Sequence, residues 1–176
     1  MRVIIAIVGN SGTGKTVAAE FASRALDIPV IRSYTTRPMR DGEAQGREHI
    51  FVPEGCSIPR KEDMLAYTFF GGHHYWALKS QVKDERVLYV IDEDGVRGLK
   101  KRFGEEYVII PILIRRDRYD VGRERMARDF SRKPLEAFYA VIDNDSTLEH
   151  LFYSLCRKIE EGSFDEWYKD NKDKVW

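Results

Sequence analysis

Cysteine is scarce in this chain of 176 residues, and neither sign of charge predominates. Its two cysteines, Cys56 and Cys156, lie far apart without metal-ligand spacing, so they predict two free thiols in a reducing compartment. The 29 Lys and Arg residues equal the 29 Asp and Glu residues in number. Without net positive charge, the chain lacks the overall field that draws proteins to nucleic acid or to an anionic membrane. Any anion is therefore expected to bind at a local site.

Long hydrophobic runs are also lacking. The apolar run at residues 2–8 leads directly into a glycine-rich loop, whereas a membrane-spanning helix needs about 20 consecutive apolar residues. The run therefore predicts a buried strand, and neither a signal peptide nor a membrane span. With 43% hydrophobic and 33% charged residues, the composition is typical of one globular domain. We expect a cytoplasmic protein, monomeric or homodimeric, that binds neither nucleic acid nor membrane.

The glycine-rich loop carries the clearest signature of function. Residues 9–16 match G-x-x-x-x-G-K-[ST], and a helical pattern of apolar residues follows over about 15–26. In such a P-loop, backbone N–H groups surround phosphate oxygens and the helix directs its positive end at them. We expect Lys15 to reach the β- and γ-phosphates and Thr16 to give its hydroxyl to Mg²⁺. The predicted nucleotide-binding residues of the loop are Gly9, Asn10, Ser11, Gly12, Thr13, Gly14, Lys15 and Thr16.

The rest of the sequence predicts a parallel α/β core with an insertion. Near-continuous apolar runs at 87–92 and 107–114 are typical of strands covered on both faces, and a charged helix is predicted between them near 94–103. The aromatic stretch at 66–76 turns at paired glycines, which predicts a hairpin in a small inserted antiparallel subdomain. The remaining predictions are a short strand at 141–142, a closing helix at 148–155 and a loosely packed tail at 162–176.

A second motif lies at residues 33–43, which read Ser-Tyr-Thr-Thr-Arg-Pro-Met-Arg-Asp-Gly-Glu. Arg37 and Arg40 suit a dianionic phosphate, because guanidinium groups bind phosphate oxygens in pairs. Together with the P-loop, this motif resembles the guanylate kinases, which carry S-x-T-T-R-x-x-R-x-G-E. The resemblance covers about residues 2–155 and includes weaker matches at Gly46, at 49–51, at 72–75, at 91–96 and at 141–145.

The resemblance implies an enzyme with a three-layer α/β P-loop fold around a central parallel sheet. Its implied parts are a core at 1–32 and 84–160, a monophosphate-binding subdomain at about 33–83 and a short helical lid at about 115–132. The implied reaction is phosphoryl transfer from ATP, with Mg²⁺, to a nucleoside monophosphate. GMP or dGMP is the first expectation, within purine nucleotide metabolism.

The resemblance also implies roles for single residues. The positions that hold the acceptor's phosphate in that family correspond here to Ser33, Arg37, Arg40, His49 and Tyr75. At His49 the family has a tyrosine, and an imidazole can also donate a hydrogen bond to a phosphate. Asp92 corresponds to an acidic position near the phosphates and the metal. Asn144 corresponds to a residue near the adenine of the donor.

The arginine-rich segment at 115–132 is a candidate lid, because its few apolar residues cannot hold a core of their own. Closing a lid excludes water, and its arginines stabilise the charge of the transferring phosphoryl group. We predict Arg123, Arg125 and Arg128 as its catalytic residues, beside Lys15 and the Arg37/Arg40 pair. A solvated charged helix is the alternative interpretation.

Three positions depart from the family pattern. The side chains that read the guanine edge in the family, a glutamate, a serine or threonine and an aspartate, correspond here to Ala66, Ala77 and Val90. A site that has lost hydrogen-bonding groups discriminates bases poorly. Asp63 or the His73/His74 pair are the candidate substitutes. The identity of the acceptor base therefore stays open.

Two other functions stay open as well. Protein-binding modules of this fold have lost catalysis, but they typically lose the P-loop too. The second alternative is a kinase for another nucleotide or for a different phosphorylated acceptor, because arginines bind phosphate and not the base. A transition-metal site at His73 and His74 is disfavoured, since adjacent residues of a strand point to opposite faces.

Overall fold

The computed structural model of the chain describes residues 1–116 and 134–172. It divides into two compact units. Met1–Val30 and the described residues from Asp84 onward form the first unit, and Ile31–Lys83 form the second unit. The predicted catalytic residues Arg123, Arg125 and Arg128, and nearly all of the predicted lid, lie outside the described residues.

Nine strands and four α-helices are found in these described residues. The strands are β1 (Arg2–Val8), β2 (Val30–Ile31), β3 (Tyr34–Thr35), β4 (Ile50–Phe51), β5 (Met64–Phe70), β6 (His73–Leu78), β7 (Arg86–Val90), β8 (Tyr107–Arg115) and β9 (Ala140–Asp143). The helices are α1 (Lys15–Leu26), α2 (Glu93–Phe103), α3 (Leu148–Glu160) and α4 (Phe164–Asn171).

The first unit is built on a five-stranded sheet with the order β2-β7-β1-β8-β9. Strand β1 pairs in parallel with β7 and β8, and β8 pairs in parallel with β9. Every residue from Val3 to Val8 is buried, so both faces of β1 are covered, as its unbroken apolar run predicts. Parallel strands end at the same edge of a sheet. The segments that follow β1, β7 and β9 therefore leave the sheet at one edge.

The helices of the first unit pack by apolar stripes at helical spacing. In α3 the buried residues are Leu151, Leu155 and Ile159, and this helix contacts both α1 and β9. In α2 the buried stripe faces β8, and the acidic first turn and basic last turn complement the helix dipole. Helix α1 ends at Asp27, whose left-handed backbone (φ 53°) closes the last turn before Pro29.

The second unit is built on a four-stranded sheet with the order β4-β3-β6-β5. Strands β5 and β6 form the predicted hairpin, and its turn residues Gly71 and Gly72 both have positive φ (59° and 82°). Two successive residues in the left-handed region are what a tight two-residue hairpin turn requires. Strand β6 also pairs antiparallel with β3, whereas β3 and β4 pair in parallel. The sheet is thus mixed, with an antiparallel hairpin at one side.

The predicted strands and helices of the core are confirmed within a few residues, but the predicted loose tail is wrong for residues 164–171. Residues 164–171 form α4, in which Phe164, Tyr168 and Asn171 are buried. The Tyr168 hydroxyl donates to the Gly104 carbonyl at 2.8 Å. A polar sequence with isolated aromatics becomes ordered here because Trp167 and Tyr168 contact the end of α2 and Phe164 packs against Tyr139. No helix in the described ranges is long and apolar enough to cross a membrane.

Candidate functional site

The loop between β1 and α1 has the curled backbone that its sequence predicts. Gly9, Gly12 and Gly14 have φ values of 145°, 80° and 92°, which other residues rarely adopt. The Asn10 carbonyl accepts hydrogen bonds from two side chains of this loop, the Thr13 hydroxyl at 2.9 Å and the ammonium of Lys15. Lys15 and Thr16 are the first two residues of α1, so the positive end of the helix follows the loop directly.

Two glycines of the loop also allow a close approach of neighbouring groups. A Cβ on Gly9 would lie 2.1 Å from the Ile114 carbonyl oxygen of β8, and a Cβ on Gly14 would lie 2.9 Å from Nδ2 of Asn144. Contacts under 3.0 Å do not occur for real Cβ atoms. The sequence signature thus serves two purposes here, because the glycines permit both the backbone curl and the packing of the loop against the sheet.

Asp92 lies at the same edge of the sheet as the loop. It follows β7, the parallel neighbour of β1, and the Ile91 N–H donates to the Ile7 carbonyl at 3.2 Å. Oδ1 of Asp92 accepts the Gly95 N–H at 2.7 Å, which caps α2. The hydroxyl of Thr16 and the carboxylate of Asp92 are hard oxygen donors. They suit Mg²⁺, which proteins hold through one or two carboxylates together with waters and substrate phosphates.

Asn144 has a structural contact that the sequence did not reveal. It is 6% exposed, and its side-chain amide donates to the Thr13 carbonyl at 2.9 Å. Thr13 is itself fully buried. Asn144 therefore ties the end of β9 to the phosphate loop. Its expected contact with adenine stays a prediction.

Replacing this asparagine tests the support of the loop. In Asn144→Ala the buried Thr13 carbonyl loses its donor, so we expect the free energy of unfolding to fall by about 1–3 kcal/mol. We also expect a higher KM for ATP, because the loop loses its support. Urea unfolding and ATP titration measure the two effects. Asn171→Ala is the matched control, since Asn171 is also buried but donates to the Trp167 carbonyl of its own helix. Equal ATP affinity in the two variants would contradict a role for Asn144 in the loop.

The second unit gathers most of the predicted phosphate-binding residues around Arg37. This side chain is 7% exposed, and its guanidinium forms two hydrogen bonds with the Glu43 carboxylate at 2.8 and 2.9 Å. The Glu43 carboxylate also accepts the backbone N–H of Arg40 at 2.8 Å. Burial alone raises the pKa of Glu43, but these hydrogen bonds and the charge of Arg37 lower it below its usual value. The carboxylate is therefore ionised at neutral pH and holds Arg37 in place.

Aromatic rings complete the surroundings of Arg37. Its guanidinium lies 5.4 Å from the centre of the Phe51 ring, a distance at which a cation and a ring attract each other. The Tyr75 hydroxyl also interacts with Arg37. The His49 ring packs edge-on against Phe51 and Tyr75, with centroid distances of 5.9 and 5.6 Å. Arg37, His49 and Tyr75 are thus brought together in one cluster.

Ser33 and Arg40 lie beside this cluster. The Ser33 carbonyl accepts the N–H of Ile50, which places Ser33 next to the backbone of His49. Arg40 is exposed on the turn that leads to Glu43. Sequence reasoning assigned no role to Glu43, although an acid six positions after Arg37 in the same motif was an available signal.

The positions expected to read the base are apolar. Ala66 and Ala77 lie directly opposite each other on β5 and β6, and Ala77 is fully buried. Val90 is the last residue of β7 in the first unit and is half-buried. His74 makes a hydrogen bond of 2.8 Å with the Tyr67 hydroxyl. Within residues 1–116 and 134–172, no group of three or more His, Cys, Asp or Glu side chains is arranged to hold a metal ion.

Comparison with known sequences links the chain to one group of enzymes. No protein-family model matches it. A guanylate kinase from Nitrobacter winogradskyi is 31% identical over 139 residues, which cover 67% of this chain and 64% of that protein. A guanylate kinase from Fusobacterium nucleatum is 32% identical over 58% of this chain and 60% of that protein. The chain therefore spans less than two thirds of the length of these curated relatives.

A solved structure shares the fold. The crystal structure of guanylate kinase from Anaplasma phagocytophilum matches 99% of this chain and 88% of its own chain, with a TM-score of 0.58 and 20% sequence identity. At this identity the likeness shows the fold alone. The predicted α/β P-loop fold with a central parallel sheet is confirmed.

Proposed function

We propose that this chain, which is related to the guanylate kinases, transfers the terminal phosphoryl group of ATP to a nucleoside monophosphate. GMP and dGMP are the first acceptors to consider, because the relatives are guanylate kinases. The single observation that supports the proposal most strongly is the phosphate loop. Its three positive-φ glycines, its lysine and its helix beginning at Lys15 are the features of a loop that binds nucleotide phosphates.

In the proposed reaction the first unit binds ATP. The loop N–H groups and the start of α1 attract the phosphates, and Lys15 contributes an ammonium group to the β- and γ-phosphates. Thr16 and Asp92 are the residues that would hold Mg²⁺. When bound, this ion neutralises negative charge on the phosphate oxygens. Asn144 keeps the loop in shape through the Thr13 carbonyl.

The second unit would bind the acceptor. Arg37, Arg40, Tyr75 and His49 supply donors and positive charge for a phosphate, and Ser33 lies next to them. Phosphoryl transfer needs in-line placement of the attacking oxygen and stabilisation of charge, and it needs no covalent protein nucleophile. The Arg37–Glu43 pair suits this task, because a bidentate partner fixes the plane of the guanidinium before the acceptor arrives. The predicted lid arginines stay a prediction for the charge on the transferring group.

An assay of ADP release with ATP and Mg²⁺ tests this function. We expect turnover at about 1–100 s⁻¹, the usual range of kinases, with at least one of GMP, dGMP, AMP, CMP, UMP and dTMP. Efficient use of GMP or dGMP alone would mean that guanine is read by groups other than residues 66, 77 and 90. No turnover with any acceptor, combined with normal ATP binding, would favour a nucleotide-binding module or an unlisted phosphorylated acceptor.

One observation favours a broader choice of base. The opposed Ala66 and Ala77 offer methyl groups where hydrogen-bond donors or acceptors would be needed to read a base edge. A pocket that makes no hydrogen bonds rejects wrong bases weakly, whereas a pocket built around such bonds rejects them by about 10⁴-fold or more. We therefore expect kcat/KM for GMP and AMP to differ by less than about 100-fold. Ala66→Glu should widen the gap in favour of GMP, and an unchanged ratio would contradict this account of the base site.

Cofactor, location and assembly belong to the same proposal. We propose Mg²⁺ as the metal, because the oxygen donors of Thr16 and Asp92 suit it. We propose the cytoplasm as the location, in keeping with two free cysteines. A monomer or a homodimer without nucleic-acid or membrane partners is the proposed state.

A further inference from the structure

His49 has an unsatisfied polar atom inside the acceptor cluster. Its Nδ1 is buried and has no hydrogen-bond partner. A buried polar atom without a partner lowers stability, because it has lost its hydrogen bond to water. Such an atom near the Arg37 guanidinium and the Tyr75 ring is therefore a place where a ligand group can restore the missing hydrogen bond.

The charges around His49 are nearly balanced before a ligand binds. Arg37 and Glu43 cancel each other in their bidentate pair, and Glu48, which lies near the ring, pairs with Arg47 at 3.6 Å. Tyr75 is the other titratable side chain that packs against the ring. Arg40 is then the remaining cation on this motif. One cation is little for a dianionic phosphate, so a second positive charge would stabilise the complex considerably.

The imidazole is the group that can supply that charge. Burial first, and the charge of Arg37 second, lower the pKa of His49, while Glu43, Glu48 and the Ser33 backbone act in the opposite direction. The ring is therefore neutral in the ligand-free protein at pH 7.5. A neutral imidazole carries one N–H, and both ring nitrogens donate only when it is protonated. A nearby dianion favours the protonated form.

We propose that His49 takes up a proton from solvent when the acceptor's dianionic phosphate binds, and that its Nδ1–H then donates to a phosphate oxygen. This inference rests on the proposed function, because it takes the Arg37 cluster as the acceptor site. Its consequence is that acceptor affinity depends on pH. Between the pKa of His49 in the free protein and its higher pKa in the complex, affinity rises as the pH falls, by up to about tenfold per pH unit.

Isothermal titration calorimetry of GMP binding measures the proton directly. The experiment is run at pH 7.5 in Pipes, Hepes and Tris, whose ionisation enthalpies differ. The slope of the observed enthalpy against the ionisation enthalpy gives the number of protons taken up. We expect an uptake approaching one proton per GMP for the unmodified chain. Phosphate itself, with a second pKa of about 6, contributes little at this pH.

Three variants identify the group. His49→Phe keeps a ring between Phe51 and Tyr75 but has no nitrogen, so the uptake should vanish and GMP should bind at least about tenfold more weakly. His49→Tyr restores a neutral donor, so binding should recover without proton uptake. His150→Phe is the control, because it removes an exposed histidine of helix α3 in the first unit, away from the acceptor cluster. It should behave like the unmodified chain.

The outcomes separate this inference from the function on which it rests. GMP binding without proton uptake, or with equal uptake in His49→Phe, overturns the role of His49 and leaves the kinase proposal standing. If GMP, AMP and ribose 5-phosphate all fail to bind, the acceptor site itself is wrong, and both proposals fall together.

Discussion

Lys15→Ala is expected to abolish phosphoryl transfer and to leave the fold intact. The ammonium group at this position of a P-loop stabilises charge on the β- and γ-phosphates, and removal of one such group commonly lowers kcat by about 10²–10³-fold or more. The structure predicts little loss of stability, because the Lys15 side chain is only half-buried and donates within its own loop, to the Asn10 carbonyl.

The measurements are steady-state ADP release and a thermal melt followed by circular dichroism. Lys83→Ala is the matched control, since Lys83 is an exposed lysine of the second unit and should keep full activity. The melting temperatures of the two variants should agree within a few degrees. Turnover that survives in Lys15→Ala would remove the loop from the mechanism, and a large drop in its melting temperature would show that the loop is structural.

The parts of the fold that could be predicted from the sequence are those determined by residues close to one another in the chain. The run at 2–8, the loop and helix α1 follow one another directly, and the β5–β6 hairpin is set by Gly71 and Gly72. In each case the signal and its consequence lie within a dozen residues or so. Short-range patterns of this kind need no knowledge of tertiary contacts.

Helix α4 could not be predicted for the opposite reason. Its sequence has few apolar residues, and its stability comes from partners elsewhere in the chain. The Tyr139 ring contacts both Phe164 and Trp167 edge-on, at 5.1 and 5.7 Å between centroids, and Tyr168 reaches Gly104. Aromatic residues spaced along a polar segment predict an ordered helix only when the surface against which they pack is known.

The candidate site divides in the same way. Motif spacing placed Lys15, Arg37 and Arg40, because phosphate loops and arginine pairs are written locally. The supporting contacts were hidden, since Asn144 reaches Thr13 across 131 positions of sequence. The pairing of Glu43 with Arg37 could not be predicted either, because an acidic residue in a loop can be assigned a partner only when the fold of the loop is known. Sequence thus predicts candidate ligand-binding groups more readily than the groups that hold them in place.

Arg37→Ala is expected to raise the KM for the acceptor and to lower kcat, with a combined loss of about 2–4 kcal/mol in transition-state stabilisation. That loss corresponds to about a 30- to 900-fold fall in kcat/KM. The reason lies in the pair with Glu43. Removing the guanidinium takes away a phosphate donor, and it also leaves a partly buried carboxylate that repels the incoming phosphate. The KM for ATP should not change, because Arg37 belongs to the second unit and the phosphate loop to the first.

Two further variants separate these contributions. Arg60→Ala removes an exposed arginine of the same unit that is paired with Glu62 and Asp63. It should change neither kcat nor the KM for the acceptor. In Arg37→Ala with Glu43→Gln the repelling charge is gone, so kcat/KM should recover part of the loss. If the double variant is no better than Arg37→Ala, the carboxylate does not repel the acceptor and the whole effect comes from the missing guanidinium. The Arg37 side chain is 7% exposed and is held in one position by two hydrogen bonds to Glu43. If Arg37→Ala leaves the dependence of the rate on acceptor concentration unchanged, the monophosphate therefore binds elsewhere.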